Sequence, residues 1–197
     1  YISRLYPGVI HPFFGYDPWR ESESPDTADG SLRMLQNAVL SQGFIGAKLY
    51  PPMGFSAAHN SSHDFSGVTN EPSEEFGTKL DTALDALFDW CSRKENDVPI
   101  MAHCANSNYL RKDYGLRAHP DYWGYALDKF GDLRVNLGHF GGVKKLDTSD
   151  EKKEKMEWLW KIGSLMQEHS GVYADLGHFS GILDRDKRKE MFDLLEH

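Results

Sequence analysis

Cysteine is nearly absent. Cys91 and Cys104 are the only two in 197 residues, too few for a disulfide framework and without any CxxC spacing. Both are expected to be buried thiols in a reducing compartment, which places the chain in the cytoplasm. Long apolar runs are missing too: nothing approaches the roughly 18 residues that span a bilayer, and no charged segment followed by an apolar one opens the chain as a signal peptide would. Positive charge is in deficit, with 22 Lys plus Arg against 30 Asp plus Glu and a formal charge of −8. That excludes a protein that grips nucleic-acid phosphates broadly and leaves a small-molecule partner, with no membrane and no nucleic acid. The charged share of 26% and hydrophobic share of 40% are those of a globular domain. Length is short as well, since a complete β/α barrel takes about 250 residues. The chain opens on Tyr1-Ile2-Ser3-Arg4 and closes on Leu195-Glu196-His197, the start of a common vector-encoded polyhistidine tail. Residues 1–197 are expected to be one barrel segment from a longer chain.

What is present is organised around Asp132 to Gly142. An apolar strand stops there at His139 and passes into a glycine turn, the way a β/α barrel delivers a group to its rim. Leu137-Gly-His-Phe-Gly-Gly142 returns as Leu176-Gly-His-Phe-Ser-Gly181. The interval from His139 to His178 is 39 residues, close to the roughly 30 or more of one βαβ step. The other strand-like segments lack the phrase, so the pattern is a β/α succession and not a solenoid.

Five strands are expected: Val9 to Phe14, Phe44 to Tyr50, Val98 to Cys104, Leu133 to His139 and Val172 to His178. His11 reads as a histidine packed within the first. Residues 20 to 28 read as polar loop. Asp29 is expected to cap a helix through Gln42, stopped by Gly43. Lys48 interrupts an apolar strand, and a buried lysine needs a partner or a solvated site. The segment from Pro51 to Pro72 reads as a long solvated loop in which His59 and His63 have zinc-like spacing but poor helix between them. Ser73 to Lys94 is an amphipathic helix with Phe76, Leu80, Ala83, Leu84, Leu87, Phe88 and Cys91 inward. In the third strand Met101 and His103 share one side, with His103 near the rim. Pro120 to Phe130 is a helix. In the fourth strand the parity of His139 places Arg134 and Asn136 among the helices, unless a bulge shifts the register. Lys144 to Asp150 is a charged linker. Asp150 to His169 is a helix with Met156, Leu159, Trp160, Gly163 and Met166 inside, and Asp184 to Leu195 is another. Asp175 and His178 have opposite parity in the fifth strand. The Leu-Gly-His-Phe parallel favours His178 and leaves Asp175 open. His103 and His139 on neighbouring strands are close enough to meet around one ion or water.

Gly43-Phe-Ile-Gly-Ala-Lys-Leu-Tyr-Pro-Pro52, Val98-Pro-Ile-Met-Ala-His103, Val135-Asn-Leu-Gly-His-Phe-Gly-Gly142 and Val172-Tyr-Ala-Asp-Leu-Gly-His178, in that order, resemble the middle strands of the amidohydrolase superfamily. The likeness is to its amidohydrolase-related branch of metal-dependent hydrolases and aminocarboxymuconate semialdehyde decarboxylase. It implies an α/β fold of the (β/α)8 TIM-barrel type, here incomplete with about five βα units. It also implies a divalent metal, usually Zn²⁺, that activates water to attack a carbonyl-type centre or supports a decarboxylation. His103 matches the family's metal-ligand histidine and His139 the catalytic histidine that handles the proton. Lys48 stands where some relatives carry a carboxylated bridging lysine, which leaves a binuclear phosphoesterase-like hydrolase as a further reading. Lys48, Asp175 and His178 are substrate-contacting or supporting candidates. The family's first-strand His-x-His pair and eighth-strand aspartate have no match. The alternative is a non-catalytic barrel-like binding or scaffold module, and five strands of eight expose two edges that invite a homo-oligomer.

Overall fold

The computed structural model describes residues 2–6, 8–107, 110–142, 150–177, 185, 188 and 189. Five short strands alternate with helices: β1 Phe13–Gly15, β2 Gly46–Leu49, β3 Ile100–His103, β4 Val135–Gly138 and β5 Val172–Ala174. They form one all-parallel sheet in sequence order. This is a partial parallel β/α fold of about five units, as an incomplete barrel requires. Among the described residues β1 and β5 each pair on one side only.

Alternation divides the sheet. Ala47, Leu49, Ile100, Ala102, Val135 and Leu137 are all at 0% exposure, and they join Leu80, Leu84, Leu87 and Phe88 of α4 (Ser73–Ser92) in one core. The opposite face carries Lys48, Met101 and Asn136 side by side in register, each half-buried. One face is therefore core and the other is concave and polar. Burying an all-apolar parallel face under helices is the usual way such a sheet removes its hydrocarbon from water. All seven residues expected inward on α4 are buried.

Several boundaries differ from the sequence expectation. His11 lies ahead of β1 and is exposed, because the strand begins only where Phe13 pairs with Gly46. Residues 20–23 of the loop expected over 20 to 28 belong instead to α2 (Pro18–Glu23), started by Pro18 at N1 and by Asp17, whose carboxylate accepts from the Trp19 and Arg20 amides. The N-cap of α3 (Ser31–Gln42) is Gly30, not Asp29. Its free Leu32 amide donates at 2.7 Å to Glu21, a buried carboxylate on α2. Capping from another helix leaves no local sequence signature. Gly43 ends α3 in the left-handed region at φ 79°, as expected of a C-terminal glycine.

Helix α5 spans Asp121–Lys129 and α6 Asp150–Glu168. On α6 the inward residues are Trp158, Leu159, Ile162 and Leu165, while Trp160 and Met166 are exposed. Two tryptophans two positions apart cannot both face inward on a 3.6-residue helix, and the sequence reading chose the wrong one. Of the linker expected over Lys144 to Asp150, Asp150 begins α6; the rest of it, and the helix expected over Asp184 to Leu195 apart from residues 185, 188 and 189, lie outside the described residues. No helix among the described residues is long and apolar enough to cross a membrane.

Candidate functional site

The C-terminal ends of β2, β3 and β4 bring three aromatic rings together. His103 is the last residue of β3 and 2% exposed. Tyr50, following β2, lies against one side of it with ring centroids 4.6 Å apart, and His139, following β4, lies edge-on at 4.7 Å. The pairing of His103 with Gly138 sets this level of the sheet, so register places His103 beside the end of β4.

His139 does not reach the site as a strand residue. β4 stops at Gly138, and His139 adopts φ 69°, followed by Phe140 at 43°, Gly141 at 76° and Gly142 at 75°. Left-handed backbone costs a non-glycine residue roughly 1–2 kcal/mol, and two of these four are not glycine. Buried Phe140 anchors the turn. The break in φ corrects the parity argument. Counting back from His139 puts Asn136 among the helices, yet Val135 and Leu137 are the residues facing the core, and Asn136 lies on the concave face with Met101 and Lys48. Counting from the apolar residues instead of the histidine would have found it.

The tautomers follow from the backbone carbonyls, which only accept. His103 Nε2 lies 3.1 Å from the Ala105 carbonyl and 3.3 Å from the Ser107 hydroxyl, so Nε2 carries the hydrogen and the neutral ring has its lone pair on Nδ1. His139 Nδ1 lies 3.1 Å from the Gly177 carbonyl, so its Nδ1 is the donor and its lone pair is on Nε2. Fixing a ring through a backbone carbonyl is how metal-ligating and proton-carrying histidines are oriented.

Asp175 follows β5 and accepts three hydrogen bonds: from the His139 amide at 3.1 Å, from Asn136 Nδ2 at 2.7 Å and from the Gly177 amide at 2.8 Å. Desolvation raises its pKa, but these donors outweigh it and hold the carboxyl below the usual range. Burial pushes the Lys48 ammonium down, opposed by the charge of Asp175, and Lys48 Nζ lies 6.0 Å from the Tyr50 ring centre. His103, His139, Lys48 and Asp175 thus share one end and one face of the sheet, and Tyr50 and Asn136 join them unforeseen. His178 lies outside the described residues.

Among the described residues no three His, Cys, Asp and Glu side chains are grouped to hold a metal ion. A catalytic zinc takes three protein ligands and a structural one four. The two imidazoles fit a divalent metal in donor type and in the way their hydrogens are held, and they supply part of such a set.

His59 and His63 belong elsewhere. Their rings pack on Tyr125 and Tyr122 of α5 at 4.8 and 5.5 Å, and the segment carrying them is solvated only in part: Phe55, Ser56, Ala57, Ala58, Asn60 and Phe65 are buried, while His59, Ser61, Ser62 and residues 66–68 and 70–72 are exposed. His63 Nε2 contacts the Ser56 hydroxyl at 2.8 Å. Burial, and then the Arg117 cation, push the His63 imidazole down to about 4, against Asp81 and Asp113, with His59 adding slightly to the depression. The unfolded chain then takes up a proton near its ordinary 6.5 that the folded chain refuses. Stability is therefore complete above about pH 6.5 and falls as the pH drops to about 4. With solvent screening of a half-buried ring allowed for, the loss is on the order of 2 kcal/mol. Urea midpoints at pH 7 and pH 4.5 check this. His63→Gln should remove most of the difference, and an equal drop in that variant would refute the assignment.

A family profile described as Amidohydrolase matches residues 24–195. No curated protein and no solved structure matches the chain.

Proposed function

Because the chain belongs to the amidohydrolase family, we propose that it forms the middle of a metal-dependent hydrolytic site attacking a carbonyl-type centre. The observation that supports this is the pair of imidazoles 4.7 Å apart at the ends of adjacent strands, each with its hydrogen tied to a backbone carbonyl. His103, with its Nδ1 lone pair, is the metal ligand. A divalent metal, zinc by donor type, supplies Lewis acidity toward water and the substrate carbonyl when bound. His139 Nε2 takes the proton of the attacking water and returns it to the leaving group. Lys48, the half-buried cation on the same concave face, receives developing negative charge on the substrate. In this reading the remaining ligands come from strands beyond these five, on a longer parent chain.

Zinc titration of the chain and of His103→Ala, followed by the imidazole resonances of His103 and His139, tests the reading. Binding at His103 that weakens more than about tenfold in the variant supports it. Equal affinity in the two proteins removes His103 as a ligand. No binding in either locates the metal site in the longer parent chain and makes these five strands a structural piece of it.

A further inference from the structure

We propose that Asp175 is the positioning residue for His139, holding both the backbone and, through Gly177, the ring of that histidine across the β4–β5 junction. The inference rests on His139 as the proton carrier and adds what keeps it in place.

His139 needs holding. Its left-handed φ of 69° is a conformation that an L-residue leaves when nothing opposes the move. Asp175 opposes it twice. One oxygen accepts the His139 amide directly, which stops the peptide from rotating back into the extended form. The same oxygen accepts the Gly177 amide, turning the chain after β5 so that the Gly177 carbonyl faces His139 Nδ1. Amide and ring are thus fixed by one carboxylate. Its other oxygen is held by Asn136, so Asp175 is itself oriented from β4. Gly177 suits this role because space is short there: a Cβ would come within 2.7 Å of Asp175 Oδ1 and 3.1 Å of His139 Nδ1.

The consequence concerns one proton. With the Gly177 carbonyl in place, Nδ1 keeps the hydrogen and Nε2 keeps the lone pair. Without it the hold that this carbonyl exerts on the Nδ1–H tautomer is lost, and a base whose lone pair is on the wrong nitrogen is idle. Asparagine removes the charge and retains an oxygen for the two amides, and Asn136 meets the new Nδ2 by turning its own amide oxygen toward it.

Long-range proton–nitrogen NMR of the His139 ring in the whole chain is the test. The wild type should show the Nδ1–H form alone. Asp175→Ala should give a mixture of tautomers with the resonances of His63, which packs on Tyr122 away from this site, unmoved, which excludes general unfolding. Asp175→Asn should restore the wild-type tautomer. An unchanged tautomer in Asp175→Ala, or Asp175→Asn behaving as the alanine variant does, overturns the proposal. With a hydrolysed ester or amide in hand, Asp175→Ala should lower kcat about 10- to 100-fold and leave KM unchanged. A tautomer shift with no hydrolysis by the parent chain that carries the remaining ligands would sink the hydrolytic reading and leave the positioning role standing.

Discussion

Replacing Arg117 by alanine should destabilise the chain by about 3–4 kcal/mol, seen as a lower urea midpoint at unchanged slope. Arg117 is 4% exposed. Its Nη1 donates to the Gly54 carbonyl at 2.6 Å and its Nη2 to the Asp64 carbonyl at 2.9 Å. The guanidinium lies 4.1 Å from the Tyr114 ring centre and 4.7 Å from that of Phe65. Burial pushes its pKa down, countered by Tyr114 and Asp113, and it stays charged because the starting value is so high. Alanine leaves two carbonyls without a donor at about 1–3 kcal/mol each, and it empties the space between two rings. The Asp113 carboxylate, 3.7 Å away and largely exposed, contributes little. Arg117→Lys should recover less than half, since an ammonium on a flexible stem does not span two carbonyls as a planar fork does. A loss below about 1 kcal/mol for the alanine variant would show that the loop closes without this clasp.

Gly77→Ala should cost about 3 kcal/mol, which for a chain of this size lowers Tm on the order of 10 °C. Gly77 lies in α4 where the turn Asn60–Ser62 crosses it. A Cβ there would overlap the Asn60 carbonyl and lie 2.5 Å from Ser61 Cα. Both are backbone, so no rotamer change relieves the contact. Asn60, wholly buried, donates through its side chain to the Ser56 carbonyl and to Asp81, and accepts the Ser56 amide. Displacing the turn strains that network as well. Faster amide exchange at Asn60 and Ser61, whose amides donate to Asp81, should accompany the lower Tm. A variant within about 1 °C of the wild type with unchanged exchange at those amides would show that the helix can move aside.

Both variants act on the segment after β2, and that segment bears on function. It leaves the C-terminal end of a strand, the face on which barrels build their sites, and it is pinned to α4 and to the turn carrying Arg117. Sequence reasoning took it for solvated because its Ser, Asn, Asp and His residues outnumber its apolar ones. Phe55, Ala57, Ala58 and Phe65 were the signal against that reading, but they have no period of 2 or 3.6, and period is what such reading detects.

The sequence by itself determined the β/α order, the parallel sheet and the seven inward residues of α4, because these depend on local periodicity and on apolar runs that can only be buried. It also placed His103 at a strand end, since alternation fixes which side chain shares a face with Met101. Other features were decided only by tertiary structure. The capping of α3 by Glu21, the clasp of Arg117 on Gly54 and Asp64, and the hold of Asp175 on His139 each join groups 11 to 63 residues apart. Such bonds have no local pattern. His139 shows the difference most directly: its motif marks a turn, but the left-handed φ that takes it off the strand comes with hydrogen bonds to Asp175 and Gly177 across from it. A parity count assumes extended backbone, and the partner that ends the extension lies on the next strand.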